Sequence, residues 1–116
     1  MSNHEQTNAT FRRMAPTEEL MAYIRREGEQ LRAQHSGLGL VSTTLEKLGR
    51  RRLFGARVEL QMSGGRLVAK ARAEDPHDAL QSAFRIVERS ARERVDRRRH
   101  RRLRARFTVR GLVPVS

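Results

Sequence analysis

Cysteine and tryptophan are absent from this sequence of 116 residues. Without cysteine, the protein can form no disulfide, no thiolate nucleophile and no thiolate metal site. The four histidines are scattered along the chain without the spacing of metal ligands, so we expect no metal and no other cofactor. Asp75, His77 and Asp78 could suggest acid–base chemistry, but helix capping accounts for both aspartates. The sequence therefore predicts a binding protein and not an enzyme.

Long apolar segments are also lacking. The first residues, Met1 to Arg13, are polar and contain no apolar run of the kind that a secretory signal needs. No stretch of the chain is apolar over the length of a membrane span. We therefore expect a cytoplasmic protein that has no membrane partner and no small-molecule substrate.

Positive charge is what the sequence has in excess. It contains 25 lysines and arginines against 13 aspartates and glutamates, which gives a formal net charge of +12. Nearly all of the cations are arginine, whose planar guanidinium can bind a phosphate through two hydrogen bonds. The length fits a single domain with one modest hydrophobic core. We expect this domain to bind a polyanion.

The N-terminal part of the chain predicts a strand followed by a helix. Residues 1–8 are polar and unpatterned, and we expect them to be disordered. A short strand is predicted over residues 9–14. Thr17 can cap a helix over residues 18–35, and Gly28 lies on the apolar stripe of this helix where a strand could approach closely.

The middle of the chain predicts three strands. Residues 38–48 contain several β-branched side chains and favour a strand, although their alternation is imperfect. Residues 49–55 predict a loop with a cluster of three arginines. Apolar and polar side chains alternate over residues 58–62 and again over residues 67–72, and a glycine-containing turn at residues 63–65 lies between them. This pattern predicts a β-hairpin with one apolar and one cationic face.

A second helix is predicted at the C-terminal side. Asp75 can cap it and Pro76 suits its first position. Its apolar stripe ends near Val95, where contact with the sheet should end. We expect residues 9–96 to form the domain, and residues 97–116 to be an arginine-rich extension with an apolar tail. The extension predicts either a helix that projects into solvent or a disordered arm, because like charges this dense repel one another.

Three segments, in this order and spacing, resemble the ribosome hibernation-promoting (sigma-54 modulation) family. They are Phe11 to Leu20 leading into Ala22 to Arg25; Val58 to Leu60 followed by Gly64 to Ala69; and Glu74 to Ala79 with Ala83, Phe84 and Val87 to Arg89. The resemblance covers roughly residues 9–102.

The resemblance implies a β-α-β-β-β-α domain of the α+β class, with a four-stranded mixed sheet and both helices on one face. It also implies that the protein docks on the small ribosomal subunit, in the channel used by mRNA and tRNA, and silences translation under stress without chemistry. The partner would be the rRNA of that subunit. The chain is similar to the short class of the family, which lacks a dimerisation domain, and a monomer is favoured.

Arginines spaced along both helices predict a joint cationic groove for RNA phosphates, with further contacts on the hairpin and in the extension. The candidate RNA-binding residues are Arg25, Arg32, Lys70, Arg72, Arg85, Arg89, Arg92, Arg97, Arg98, Arg99, Arg101 and Arg102. The alternative is a solvated charged face, because acidic residues on the same helices could neutralise part of the stripe.

Two other functions remain open from the sequence. One is a general nucleic-acid-binding module, close in structure to double-stranded RNA-binding domains, which would bind duplexes with little regard for the ribosome. The other is a protein-interaction domain whose apolar tail, Leu112 to Val115, docks on a partner or on a second copy.

Overall fold

The computed structural model of the protein describes residues 7–109, with side chains for residues 7–94. In chain order, the elements are strand β1 (Thr7–Arg12), helix α1 (Glu18–Gln34), strands β2 (Leu38–Lys47), β3 (Phe54–Met62) and β4 (Gly65–Ala73), and helix α2 (Pro76–Val109). This order confirms the predicted α+β fold class. The expectations for residues 1–6 and for the tail from residue 110 onwards lie outside the described residues.

The four strands form one mixed sheet in the order β1-β2-β3-β4. Strand β1 runs parallel to β2, and the other neighbouring pairs are antiparallel. Because side chains alternate between the two faces of a strand, Val41, Val58 and Ala69 point to the same face and are buried there. Leu20, Ile24 and Leu31 of α1 and Leu80, Phe84 and Val87 of α2 share this core. Both helices therefore cover one face of the sheet, as expected.

Side-chain caps fix where each helix begins. The hydroxyl of Thr17 accepts a hydrogen bond from the backbone N–H of Leu20 at 3.2 Å. The carboxylate of Asp75 accepts from the N–H of His77 at 2.8 Å, and Pro76 takes the first helical position. Both predicted helix starts are therefore confirmed.

Gly28 brings α1 close to β1. A Cβ atom placed on Gly28 would lie 2.8 Å from Cγ2 of Thr7, which is closer than side chains tolerate. The predicted close approach of a strand at this glycine is confirmed. The lack of a side chain at position 28 is what allows α1 to lie directly on the edge strand.

The ends of several strands differ from the prediction, most clearly those of β1 and β3. Strand β1 begins at Thr7 and ends at Arg12, because Arg13 has a φ of 60° that breaks the extended backbone. Strand β3 begins at Phe54, opposite Lys47, so the loop before it is shorter than predicted. The imperfect alternation of β2 arises from a bulge between Leu38 and Val41, after which its alternation is regular.

Helix α2 continues without interruption from Pro76 to Val109. Its 34 residues correspond to about 51 Å of helix, at about 1.5 Å per residue. A strand of nine residues such as β4 spans only about 30 Å. Of the two alternatives for the arginine-rich segment, the helix is the one found over the part that is described. No helix within residues 7–109 is long and apolar enough to cross a membrane.

Candidate nucleic-acid interface

The face of the sheet that the helices leave open carries most of the basic side chains of the strands. Residues that alternate with the buried ones point to this face. Its cations are Arg12 of β1, Arg57 of β3, and Arg66, Lys70 and Arg72 of β4, and its carboxylates in the described strands are Glu46 and Glu59. The open face therefore has a clear excess of positive charge.

A shallow depression of about 280 Å³ lies on this open face. Gly55 is at its base, in register between Glu46 of β2 and Arg72 of β4, and contributes no side chain to fill it. The side chain of Leu48 reaches this position from one side, because a Cβ on Gly55 would lie 3.1 Å from its Cδ1. The polar side chains around the depression are those of Arg12, Thr44, Glu46, Arg57, Lys70 and Arg72.

The cations of the depression are only partly neutralised. Arg57 and Lys70 are direct cross-strand partners, and like charges in this position repel each other. Glu59 lies 3.1 Å from Arg57 but also binds Arg66 at 3.3 Å. Among the described residues, no carboxylate forms an ion pair with Lys70 or with Arg72. The depression can therefore accept an anion.

The groove between the two helices differs from the predicted one. Helix α1 lines it with Tyr23, Glu27, Gln30 and Gln34, and α2 lines it with Gln81, Phe84, Arg85, Glu88 and Arg92. A guanidinium nitrogen of Arg92 donates to both carboxylate oxygens of Glu88, at 2.7 and 2.5 Å. Cations thus come from one helix only and are mixed with carboxylates. The prediction of a groove in which both helices present arginines is wrong.

Arg25 and Arg32 share one flank of α1, as predicted, but it is the flank away from α2. The period of 3.6 residues puts Tyr23 and Glu27 beside α2 and puts Arg25 on the opposite side. Arg32 donates a hydrogen bond to the carbonyl of Gly39 at the start of β2. Arg89 is exposed and does not line the groove.

Up to residue 94, the helices carry nearly balanced charge, whereas the strands carry an excess of positive charge. Helix α1 has three arginines and four glutamates, and residues 76–94 of α2 have four arginines and three acidic residues. The four strands together have six basic residues and two acidic ones. Up to residue 94, the excess of positive charge therefore lies on the sheet and in the loops, where Arg50, Arg51 and Arg52 are exposed.

The remaining candidates lie in the distal part of α2. Arg97, Arg98, Arg99, Arg101 and Arg102 are in this helix, beyond the residues whose side chains are described. Two cations of the depression, Arg12 and Arg57, were not among the predicted site residues. The alternation of β3 could have indicated Arg57, but the placement of Arg12 depends on the pairing of β1 with β2.

An aromatic cluster fixes the two helices near their first turns. The ring of Tyr23 lies edge-on to Phe84, with centroids 6.3 Å apart, and contacts the ring of His77 at 4.4 Å. Burial raises the pKa of the Tyr23 hydroxyl, and the nearby carboxylate of Glu27 adds to this effect. The guanidinium of Arg26 lies over the Tyr23 ring at 5.6 Å. Among residues with described side chains, no group of three or more histidines and carboxylates could hold a metal ion.

A sheet covered by helices on one face and lined with basic residues on the other defines an α+β domain with a cationic open face. Within that class, the chain belongs to the family described as sigma 54 modulation protein / S30EA ribosomal protein, whose sequence profile matches residues 7–99. The resemblance deduced from the sequence is thereby confirmed. So is the prediction that the protein is not an enzyme, because this is a family of ribosome-associated proteins that act without catalysis.

Two solved structures have a similar fold. One is the N-terminal domain of Protein Y from Thermus thermophilus, with a TM-score of 0.66 and 17% sequence identity over 76% of this chain and 97% of that one. The other is a ribosomal subunit interface protein from Coxiella burnetii, with a TM-score of 0.61 and 8% identity over 78% of this chain and 97% of that one. A search of curated protein sequences finds no match.

Proposed function

We propose that this protein binds the small ribosomal subunit, contacts its rRNA through basic side chains, occupies the decoding channel and silences translation under stress. The observation that carries the proposal is the family match over residues 7–99. A structural neighbour supports it, because the similar protein from Coxiella burnetii is itself described as a ribosomal subunit interface protein.

In the proposed mechanism, the protein silences translation by occupying the space that mRNA and tRNA need. A domain seated in the channel excludes mRNA and tRNA by volume, and it needs no catalytic group to do so. Guanidinium groups hold such a domain by binding phosphates, which fixes its position without reading the base sequence. On the helical side, we propose Arg25, Arg85 and Arg89 for this role, because they are exposed.

The two other helical candidates are more constrained. The guanidinium of Arg92 is held by the carboxylate of Glu88, and that of Arg32 by the carbonyl of Gly39, so a phosphate would compete with these acceptors. We propose them as contacts that form by exchange of partners. The arginines of residues 97–102 continue along the same helix and would add a contribution that depends strongly on salt.

Co-sedimentation with purified small subunits tests the proposal, followed by a cell-free translation assay with the same protein. The protein is expected in the subunit fraction at moderate salt, and translation is expected to fall as it is added. A folded protein that stays out of the subunit fraction, or that binds subunits and leaves translation unchanged, would overturn it.

A general module for double-stranded RNA is the second candidate, and one observation favours it. Between the two helices the chain forms three antiparallel strands in sequence order, and both helices pack on one face of them. Double-stranded RNA-binding domains have this arrangement and recognise shape more than sequence. Equal affinity for an unrelated RNA duplex and for small subunits would favour this function over the first.

A further inference from the structure

We infer that the depression at Gly55 is a second RNA-binding surface, which takes phosphates of an RNA backbone on the open face of the sheet, opposite the helices. The inference rests on the proposed function and names a surface for it that the helical arginines do not include. Its principal contacts are Arg12, Arg57, Lys70 and Arg72, with the hydroxyl of Thr44 as a further donor.

The geometry brings these side chains to one place from four strands. Arg57 and Lys70 face each other across β3 and β4, and Thr44 of β2 is the cross-strand partner of Arg57 on the other side. Neighbouring strands are about 4.8 Å apart, so long side chains on them can reach one recess, whose floor is formed by Gly55 and the side chain of Leu48. The sheet thereby presents several donors around a single recess.

The charges around this recess favour the binding of an anion. Directly opposed cations destabilise a sheet, and the two carboxylates of the open face neutralise only part of the charge. Glu59 is occupied by Arg57 and Arg66. Glu46 lines the recess, but its carboxylate lies 3.8 Å from Arg13, so one carboxylate faces the four cations there. A phosphate would relieve the repulsion and accept hydrogen bonds from the same groups.

The extent of the charge favours an RNA strand over a small anion. The loop between β2 and β3 carries Arg50, Arg51 and Arg52, all exposed, and the pairing of Lys47 with Phe54 puts this loop at the same end of the sheet as Gly55. The described residues of the open face include no aromatic side chain on which a base could stack. Contact is therefore with the backbone and independent of sequence.

In a channel lined with rRNA, this second surface would contact RNA that the helices do not reach. A domain that fills such a channel meets RNA on both of its faces, and the helices here occupy only one of them. Cations on the sheet side would then hold the domain against the opposite wall. The same charges on a protein that meets RNA from one side only would have no partner.

Substitutions at Thr44 test the inference, because this residue lines the recess without belonging to the core. In Thr44→Glu, a carboxylate stands beside Arg57 and competes with phosphate, so affinity for small subunits should fall by about tenfold at moderate salt. Its unfolding midpoint should stay the same or rise, because the carboxylate relieves repulsion. Thr44→Gln, the neutral match, should bind within about twofold of the wild type.

Two further variants of the full chain separate position from net charge. Ala33→Glu adds the same charge on the exposed side of α1, about two turns from Arg25 and in the layer opposite the recess, and should change affinity by less than about twofold. The double variant Lys70→Gln/Arg72→Gln should weaken binding and lower the slope of log affinity against log salt by about one to two.

Each result has a distinct reading when all variants are measured on small subunits and on an unrelated RNA duplex. If the wild type binds subunits and Thr44→Glu binds as well as Thr44→Gln, the recess is not an RNA site and only the inference is overturned. Equal losses in Thr44→Glu and Ala33→Glu would overturn it too. A wild type that binds the duplex and not subunits overturns the proposed function, and Thr44→Glu on the duplex then decides the inference. Binding to neither overturns both.

Discussion

The contact between Gly28 and Thr7 predicts that Gly28→Ala lowers the free energy of unfolding, and that the same substitution raises it once Thr7 is replaced by alanine. In Gly28→Ala, the new methyl group would stand 2.8 Å from Cγ2 and 3.1 Å from Oγ1 of Thr7. Rotating the Thr7 side chain gives only partial relief, because every staggered rotamer leaves a γ atom in at least one of these two close positions. The helix or the edge strand must therefore move.

Two opposing terms set the size of the effect. Alanine in place of glycine favours a helix by about 1 kcal/mol. Overpacking of a well-packed contact costs about 1 to 3 kcal/mol. We expect Gly28→Ala to lower the free energy of unfolding by up to about 2 kcal/mol, since packing outweighs propensity at this contact.

In a Thr7→Ala background, the two γ atoms that would clash with an alanine at position 28 are absent, and the rest of the protein is unchanged. The nearest remaining atom of residue 7 would be Cβ, at 3.5 Å, which is an ordinary contact distance. In this background, Gly28→Ala should raise the free energy of unfolding by about 0.5 to 1 kcal/mol. Urea denaturation of the four proteins of this cycle, followed by circular dichroism, measures both effects and the coupling between them.

An equal change in stability from Gly28→Ala in both backgrounds would refute the reasoning. It would mean that α1 does not rest on β1 at this point. A background in which Thr7→Ala alone unfolds the protein is not expected, because β1 is an edge strand and Thr7 is only half-buried.

Four other outcomes are expected. Phe84→Ala should lower the free energy of unfolding by about 3 to 5 kcal/mol, measured by denaturation, because it removes a buried aromatic ring from a small core. Thr43→Val should leave stability unchanged or raise it by about 1 kcal/mol, since the Thr43 hydroxyl is buried without a hydrogen-bond partner among the described residues. Deleting residues 97–116 should flatten the salt dependence of RNA binding, and a slope equal to that of the full chain would contradict the proposed role of the extension. The raised pKa of Tyr23 means that the folded state favours its neutral form, so stability is full below pH 10 and is lost as the pH rises through the folded pKa. In alkaline thermal melts, Tyr23→Phe should lose less stability than the wild type.

Much of the fold could be predicted from local patterns. Caps at Thr17 and Asp75 marked both helix starts, and alternation over residues 58–62 and 67–72 on either side of a glycine turn identified the hairpin and its two faces. These signals depend only on neighbours in sequence. The boundaries of β1 could not be predicted in the same way, because Arg13 ends the strand with a positive φ that a sequence of ordinary residues does not reveal.

The candidate site was harder to predict, because it depends on which elements become neighbours. The periodicity of α1 placed Arg25 and Arg32 on one flank correctly, but it did not tell which flank would face α2. Glu27 and Gln30 take that position. The recess at Gly55 requires the register of three strand pairs at once, so Arg12 could be assigned to it only after β1 was paired with β2.

The parallel pairing of β1 divides the domain into parts of unequal resistance to local opening. The other strands follow one another through short turns, and α2 packs on β3 and β4. Strand β1 instead returns to β2 through 25 intervening residues that include α1, so its pairing closes a long loop and depends on distant contacts. Opening of this edge can leave the hairpin and α2 intact as a smaller cooperative unit. Arg12 leaves the recess when β1 detaches. An RNA strand bound both to Arg12 and to the cations of β4 would therefore stabilise the sheet against opening at β1.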